Sequence, residues 1–323
     1  MRKIALITGI TGQDGAYLAE NLLAKNYYVV GTSHTKAFNL SLPQLENVIE
    51  VEHLDLTNSV GIKNIIQKLQ PDEVYNLAAR SSSAQLFDDP VTTADINGVS
   101  VVRLLEAMRE VSPHTRFCQA ASSEVFAGTS LTPQDESTPF LPINAYGAAK
   151  TYAMNIVSAY RLHYQLYAVS AILFNHESPR RGVEHVTRKI SHAVAQIALG
   201  QAHELVLRSL ESRRDWGFAG DYVNAMWLML QQPVPEDFVI ATGMTHSVKD
   251  ICEIAFKHVG LDYSDYVSVD PSFVGRNEAI ELCGNPMKAK TKLKWTHSIG
   301  FCELVKMMVD ADLVRLKSAA SLS

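Results

Sequence analysis

Tyr146-Gly147-Ala148-Ala149-Lys150 sets a tyrosine and a lysine four residues apart. On a helix both side chains lie on one face. Such a pair can serve as a general base and its supporting cation. A free phenol has a pKa of ~10, so work near neutrality needs a shift of about three units, or ~4 kcal/mol. A nearby positive charge pushes that way. The same spacing also occurs on ordinary surface helices, so the pair alone decides nothing. Gln119-Ala120-Ala121-Ser122-Ser123-Glu124 follows an apolar run, and sheet enzymes gather their chemistry at strand ends. There Ser122 can donate to a substrate hydroxyl or carbonyl, and a sheltered Glu124 can exchange protons. Taken alone, serine followed by glutamate equally suits a helix cap.

Thr8-Gly9-Ile10-Thr11-Gly12-Gln13-Asp14-Gly15 lies between the first strand pattern and the first helix pattern. Gly9 suits the tight turn, Gly12 the approach of backbone to a pyrophosphate, and Gly15 close helix–strand contact. The helix N-terminus, with Gln13 and Asp14 in its first turn, then faces the anion. Strand, glycines and helix in that order read as a dinucleotide loop. A nicotinamide cation would join Lys150 in lowering Tyr146, and Lys150 can hold the nicotinamide ribose. An NAD site usually has an acidic residue at the end of the second strand. Gly31-Thr32-Ser33-His34-Thr35-Lys36 has none. Ser33, His34 and Lys36 suit a 2′-phosphate, so NADP is expected; a solvated loop is the plain alternative. Asp55, followed by Leu56, is a candidate for the adenine amino group. Asn76, Leu77, Ala78 and Ala79 would pass under the ribose and pyrophosphate.

These groups need a frame. Strand patterns at 3–7, 28–31, 48–54, 73–78 and 116–120 alternate with helix patterns near 13–25, 58–69 and 90–110. A long helix near 144–164 and an apolar run at 167–174 continue the alternation. Continuous apolar strands with helical crossovers mean a parallel sheet covered on both faces. Beyond it, 175–182 is polar and irregular. Helices follow near 186–199, 219–232 and 247–259, with a strand pattern at 238–242 between the last two. The region 260–285 is rich in loop, and a final helix covers 301–317. The expected fold is Rossmann-like α/β: a doubly wound parallel sheet with a smaller mixed α/β C-terminal lobe. Residues 1–174 and 215–243 would bind the dinucleotide; 175–214 and 244–323 would bind substrate.

The chain of 323 residues is 47% apolar and 20% charged, long enough to bury a core without staples. Its net charge of −5 and lack of a basic run argue against a nucleic-acid partner. No stretch approaches the ~20 apolar residues of a membrane span. The run 1–7 turns at Thr8-Gly9 and so is expected to be a strand rather than a signal peptide. Cys118, Cys252, Cys283 and Cys302 are scattered without zinc spacing, as expected of reduced thiols in a cytoplasmic protein that holds no metal.

The glycine loop, Ser-Ser-Glu and the Tyr146–Lys150 pair together resemble the extended short-chain dehydrogenase/reductases that act on nucleotide sugars. The sequence is more closely similar to the GDP-mannose 4,6-dehydratase family over nearly its whole length. That likeness is carried by residues 8–15, by Leu173-Phe174-Asn175-His176-Glu177-Ser178-Pro179-Arg180-Arg181-Gly182, by Val186-Thr187-Arg188-Lys189, by Arg214-Asp215-Trp216-Gly217 and by residues 221–227. The resemblance implies a redox-neutral dehydration with NADP. Tyr146 would take the C4 hydroxyl proton while hydride leaves C4. Glu124 would remove the acidified C5 proton, the C6 hydroxyl would leave as water, and hydride would return to C6. Ser122 stands where the family has threonine. Asn175, Lys189, Arg214 and Arg276, with Ser81 and Glu278, would bind the sugar nucleotide, since arginine forks and a lysine match a diphosphate.

The sequence departs from that family at four places. His34-Thr35 replaces paired arginines, and the connection 31–48 is short. Arg208-Ser209 replaces a Gly-Asn, and Arg276-Asn277-Glu278 lies in a shortened loop. A 4-ketoreductase of the same superfamily, a dehydratase for another nucleotide hexose and a non-catalytic NADP-binding protein are the competing readings. The superfamily resemblance implies a homodimer through helices 90–110 and 144–164. Ala148, Ala149, Tyr152, Ala153, Ile156, Val157 and Tyr160 form a broad apolar stripe there. A tetramer through 32–47 is not expected.

Overall fold

The computed structural model describes residues 2–35, 45, 48–81, 89–270, 272 and 281–320. Strands β1 (Ile4–Thr8), β2 (Tyr28–Ser33), β3 (Glu50–His53), β4 (Glu73–Asn76) and β5 (Arg116–Ala120) come first, with helices α1 (Gln13–Ala24), α2 (Ser59–Leu69), α3 (Pro90–Ala94) and α4 (Ser100–Val111) between them. Then follow α5 (Ala145–Tyr164), β6 (Ala168–Leu173), β7 (Asn175–Glu177), α6 (Val186–Ala198), β8 (Leu205–Leu207), β9 (Arg213–Arg214), β10 (Trp216–Phe218), α7 (Ala219–Leu230) and β11 (Phe238–Ile240). The chain ends with β12 (His246–Ser247), α8 (Val248–His258), β13 (Val267–Val269) and α9 (Phe301–Ala320).

Seven strands form one sheet in the order β11-β6-β5-β4-β1-β2-β3, every pair parallel. This is the expected Rossmann-like fold. The strand order reverses beside β1, and open α/β sheets bind ligands outside the carboxyl ends at such a point. One apolar layer, including Leu18, Leu22, Met226 and Trp295, covers one face of the sheet; another, including Ile62, Leu104, Met108 and Val157, covers the other. A further cluster gathers Ile190 and Val194 of α6, Ile251 and Phe256 of α8, and Val305 and Val309 of α9. Among the described residues no helix is long and apolar enough to cross a membrane.

The expected helix over 90–110 is broken in its register. Asp95–Val99 is a π-helical segment between α3 and α4. Asn97 explains it: its Oδ1 accepts from Arg80 N at 2.9 Å and its Nδ2 donates to Arg80 O at 3.0 Å. The bulge swings a buried amide onto the chain leaving β4, a use π-bulges commonly serve. The polar stretch 175–182 is more ordered than its pattern suggests. β7 pairs with β10, and two further two-stranded ribbons join β12 to β9 and β13 to β8. Strands of two or three residues leave too little periodicity to be read from sequence.

Candidate active site

Ser122 leaves β5 and caps a short 3-10 turn over Ser123–Phe126, its Oγ accepting from Glu124 N at 3.2 Å. The capping reading of Ser-Ser-Glu is therefore met. Oε2 of Glu124 accepts from Asn144 Nδ2 at 2.8 Å. Oδ1 of that same asparagine accepts from Gly147 N at 2.7 Å and caps α5. Helix and carboxylate are thus tied to one side chain. Gly147 permits the approach: a Cβ there would lie 2.6 Å from Glu124 O.

Two and six residues past that cap come Tyr146 and Lys150. The Lys150 side chain is buried, and its Nζ donates to Ala120 O at 2.6 Å and stands 5.6 Å from the centre of the Tyr146 ring. Ser122, Glu124, Tyr146 and Lys150 all line one cavity of about 200 Å³, together with Asp14, Leu77, Ala79 and Ser81. The sequence-based set is thus brought together.

The protein's own field alone leaves Tyr146 a weak acid. Burial pushes the phenol up to about 12; Ser122's hydrogen bond pulls it down, and the Glu124 charge adds to the rise. Desolvation of the phenolate outweighs the protein's help, so positive charge in the cavity must supply the rest. Burial also presses Lys150 down to about 8, against the attraction of Asp14.

The glycine loop turns as expected, with Gly9 at φ +71 and a Cβ there only 2.8 Å from Ala78 N. Gly12 precedes α1, and Gly15 lies within its buried face. The side chains of Gln13 and Asp14 are engaged within the protein. Gln13 Nε2 donates to His176 O at 3.1 Å, and its Oε1 accepts from Ser178 at 2.6 Å. Asp14 sits 2.8 Å from Nε2 of His176, whose Nδ1 meets Phe174 O at 2.7 Å. Two acceptors on one ring require both nitrogens to donate. Burial presses the His176 imidazolium down, but Asp14 and the Phe174 carbonyl outweigh it, and its pKa stands above the usual value. Burial likewise opposes ionised Asp14, yet His176 and Arg181 hold it below the usual carboxylate range. What these two residues keep for an anion is the backbone at the start of α1.

Ser33, buried at the end of β2, bonds to Thr35, and His34 is exposed. Asp55 is exposed and accepts from both N and Oγ1 of Thr57 at 2.8 Å; it lines a separate groove with His53 and Asn58. Leu56 is buried beside it. Lys36 and most of 32–47 lie outside the described residues, as do Arg276 and Glu278.

A second cavity of about 420 Å³ holds Lys189, Arg214, Arg208 and Ser209. Asn175 and His185 line both cavities, so a ligand can span them. Lys189 Nζ donates to Val206 O at 2.7 Å, and Arg214 NH1 to Arg213 O at 2.7 Å. The site residues missed from sequence are Asn144, His176, Arg181 and His185. His176 and Arg181 follow the carboxyl end of β6 as Ser122 and Glu124 follow β5, and that position was the available signal. Among the described residues no group of three His, Cys, Asp or Glu could hold a metal ion.

A family model described as GDP-mannose 4,6 dehydratase matches residues 6–308. GDP-mannose 4,6 dehydratase 2 of Arabidopsis thaliana is 46% identical over 97% of this chain and 87% of that protein. The Homo sapiens GDP-mannose 4,6 dehydratase is 44% identical over 98% of this chain and 93% of that protein. Among solved structures, a Burkholderia cenocepacia protein described as a putative epimerase superposes with TM-score 0.86 at 24% identity, covering 97% of this chain and 98% of that one. A Bacillus anthracis dTDP-glucose 4,6-dehydratase superposes with TM-score 0.83 at 21% identity, covering 99% of this chain and 100% of that one. At those identities the superpositions speak for the fold.

Proposed function

The chain belongs to the GDP-mannose 4,6-dehydratase family, and from that premise we propose that Ser122, Glu124, Tyr146 and Lys150 perform the dehydration of GDP-mannose to a GDP-4-keto-6-deoxy sugar. The activity is that of a hydro-lyase, with NADP as resident cofactor. The observation that carries this reading is Glu124, held by Asn144 on the wall of the cavity that Tyr146 and Lys150 also line. A base for C5 and a base for the C4 hydroxyl then face one volume from two elements.

The residues fit the cofactor. The Gly9 turn leaves backbone N–H groups at the start of α1 for a pyrophosphate, and the end of β2 carries no acid among its described residues. When bound, NADP supplies the acceptor and then the donor of hydride. Tyr146 accepts the proton of the C4 hydroxyl, with Lys150 beside it as the supporting cation of the pair. Ser122 donates to the developing C4 carbonyl. Glu124 then takes the C5 proton and hands a proton to the departing C6 oxygen, so one water leaves. Lys189 and Arg214, across the second cavity, suit a diphosphate. The dinucleotide unit is assigned to 1–174 and 215–243 and the substrate unit to 175–214 and 244–323; the cluster around α6, α8 and α9 supports the second unit, while Leu293 and Trp295 pack with the sheet.

Assembly is assigned as a homodimer. On α5, Ala149, Ala153 and Val157 are buried, whereas Tyr152 is 45% exposed. Gly98 lies against Tyr152, and Val91 and Val99 are exposed nearby along the same helical run, so an outer apolar face remains for a second copy. The four unpaired cysteines suit the cytoplasm. The test is incubation with a panel of sugar nucleotides and catalytic NADP. A 4-keto-6-deoxy product from the GDP-hexose without net cofactor consumption is expected. Stoichiometric loss of NADPH on a 4-keto substrate, with no dehydration, would instead make it a reductase.

A further inference from the structure

Behind Lys150 a row of buried polar side chains crosses the carboxyl ends of three strands. Ala78 N donates to Thr8 Oγ1 at 3.2 Å, and the Thr8 hydroxyl donates to Asn76 Oδ1 at 2.6 Å. Asn76 Nδ2 donates to Gln119 Oε1 at 2.7 Å, and Gln119 Nε2 donates to Ala120 O at 2.8 Å. That oxygen is the one to which the Lys150 ammonium is tied at 2.6 Å. Thr8 pairs with Asn76, and Asn76 with Gln119, in the strand register, so the three side chains stand abreast. Their direction is forced. Ala120 O can only accept, which makes Nε2 the Gln119 donor, and the amides upstream follow.

Burying three polar side chains is costly unless each is satisfied. Thr8 satisfies the Ala78 N–H, but the strand ladder is already paired without the side chains of Asn76 and Gln119. None of the three lines the catalytic cavity. Every hydrogen in the row points toward Ala120, so the aligned dipoles turn their positive ends to Lys150 and share its acceptor. We propose that Gln119, Asn76 and Thr8 are positioning residues for Lys150: the row fixes the Ala120 carbonyl that tethers the ammonium and holds back its charge. The row orients and does not conduct, since amides pass no proton onward. This rests on the assignment of Lys150 made above.

The charged and titratable groups that share the cavity with Lys150 are Asp14 from α1, Tyr146 on its own helix, Glu124 after β5, His176 and Arg181 after β6, and His185 before α6. None is altered by Gln119→Leu, which keeps the bulk and cuts the row. The pH dependence of Lys150 acetylation, read by peptide mass spectrometry on substrate-free protein, gives its titration directly. Gln119→Leu should move that midpoint, and the alkaline limb of kcat, upward by about half a unit or more. It should also lower kcat several-fold with KM within twofold. An unmoved Lys150 midpoint overturns the proposal. If Gln119→Leu does not accumulate, Thr8→Val should shift the midpoint the same way while Thr8→Ser stays at the wild-type value; equal behaviour of the two overturns it. Full activity of Lys150→Met would sink the functional assignment instead, and the substrate-free titration would still judge the row.

Discussion

Glu124→Gln exchanges one carboxylate oxygen for an amide nitrogen with almost no change of shape. Oε2 of Glu124 accepts from Asn144 Nδ2 at 2.8 Å, while Asn144 Oδ1 caps α5 through Gly147 N. The amide can turn its oxygen to Asn144, so the cap and the place of Tyr146 survive. The nitrogen left facing the cavity cannot take a proton. Loss of a positioned base is expected to slow the reaction by about 10²–10⁴, or ~3–5 kcal/mol of barrier. The loss falls on elimination, because C4 oxidation uses Tyr146. Three readings separate the steps: product formation, exchange of the C5 hydrogen with heavy water, and absorbance of reduced nicotinamide on the enzyme. Product and exchange should both collapse while reduced cofactor accumulates. Asn144→Ala provides a control on positioning. It should cost ~1 kcal/mol of stability through the lost cap and lower kcat by releasing Glu124. Normal C5 exchange in Glu124→Gln, or no bound reduced cofactor, would refute the reasoning.

Tyr146→Phe should fold normally and lose turnover, since the ring keeps its packing; near-normal activity would reject Tyr146 as the C4 base. Asp312 is fully buried and meets Arg188 NH2 at 2.6 Å, and Arg188 in turn holds Pro179 O and Arg181 O. Asp312→Ala should therefore cost ~3–5 kcal/mol, visible as several degrees in thermal unfolding; an unchanged midpoint would contradict it. Tyr152→Glu should yield monomers in light scattering, and a persistent dimer would place the interface elsewhere. The raised pKa of His176 gives stability that is fully present below its unfolded value of about 6.5 and is lost as pH climbs through the folded value. His176→Asn should flatten that slope in thermal midpoints taken across pH, and an unaltered slope would reject the buried imidazolium.

The seven-stranded sheet was legible because buried parallel strands such as Ala168–Leu173 are mainly apolar runs, Ser170 being the one polar residue in that strand, and the helices between them carry clear periodicity. The candidate site was legible where spacing is local: GxxGxxG, Ser-Ser-Glu, and Tyr146 with Lys150. What stayed hidden depends on distant partners. Asn144 reads as a plain cap until Glu124 is placed beside it. Asp14 reads as a first-turn acid on a dinucleotide helix until His176, 162 residues later, takes it. The rise that burial gives Tyr146 has the same origin, since burial is a property of the fold and not of the four-residue spacing.

The central claim is that one hydride leaves C4 and returns to C6 of the same hexose within this cavity. GDP-mannose carrying deuterium at C4 tests it directly, with product examined by mass spectrometry and NMR. The account predicts deuterium at C6 of the 4-keto-6-deoxy product, together with one solvent-derived hydrogen at C5 and no label in free cofactor. Label lost to solvent, or accumulating in released NADPH, would contradict it.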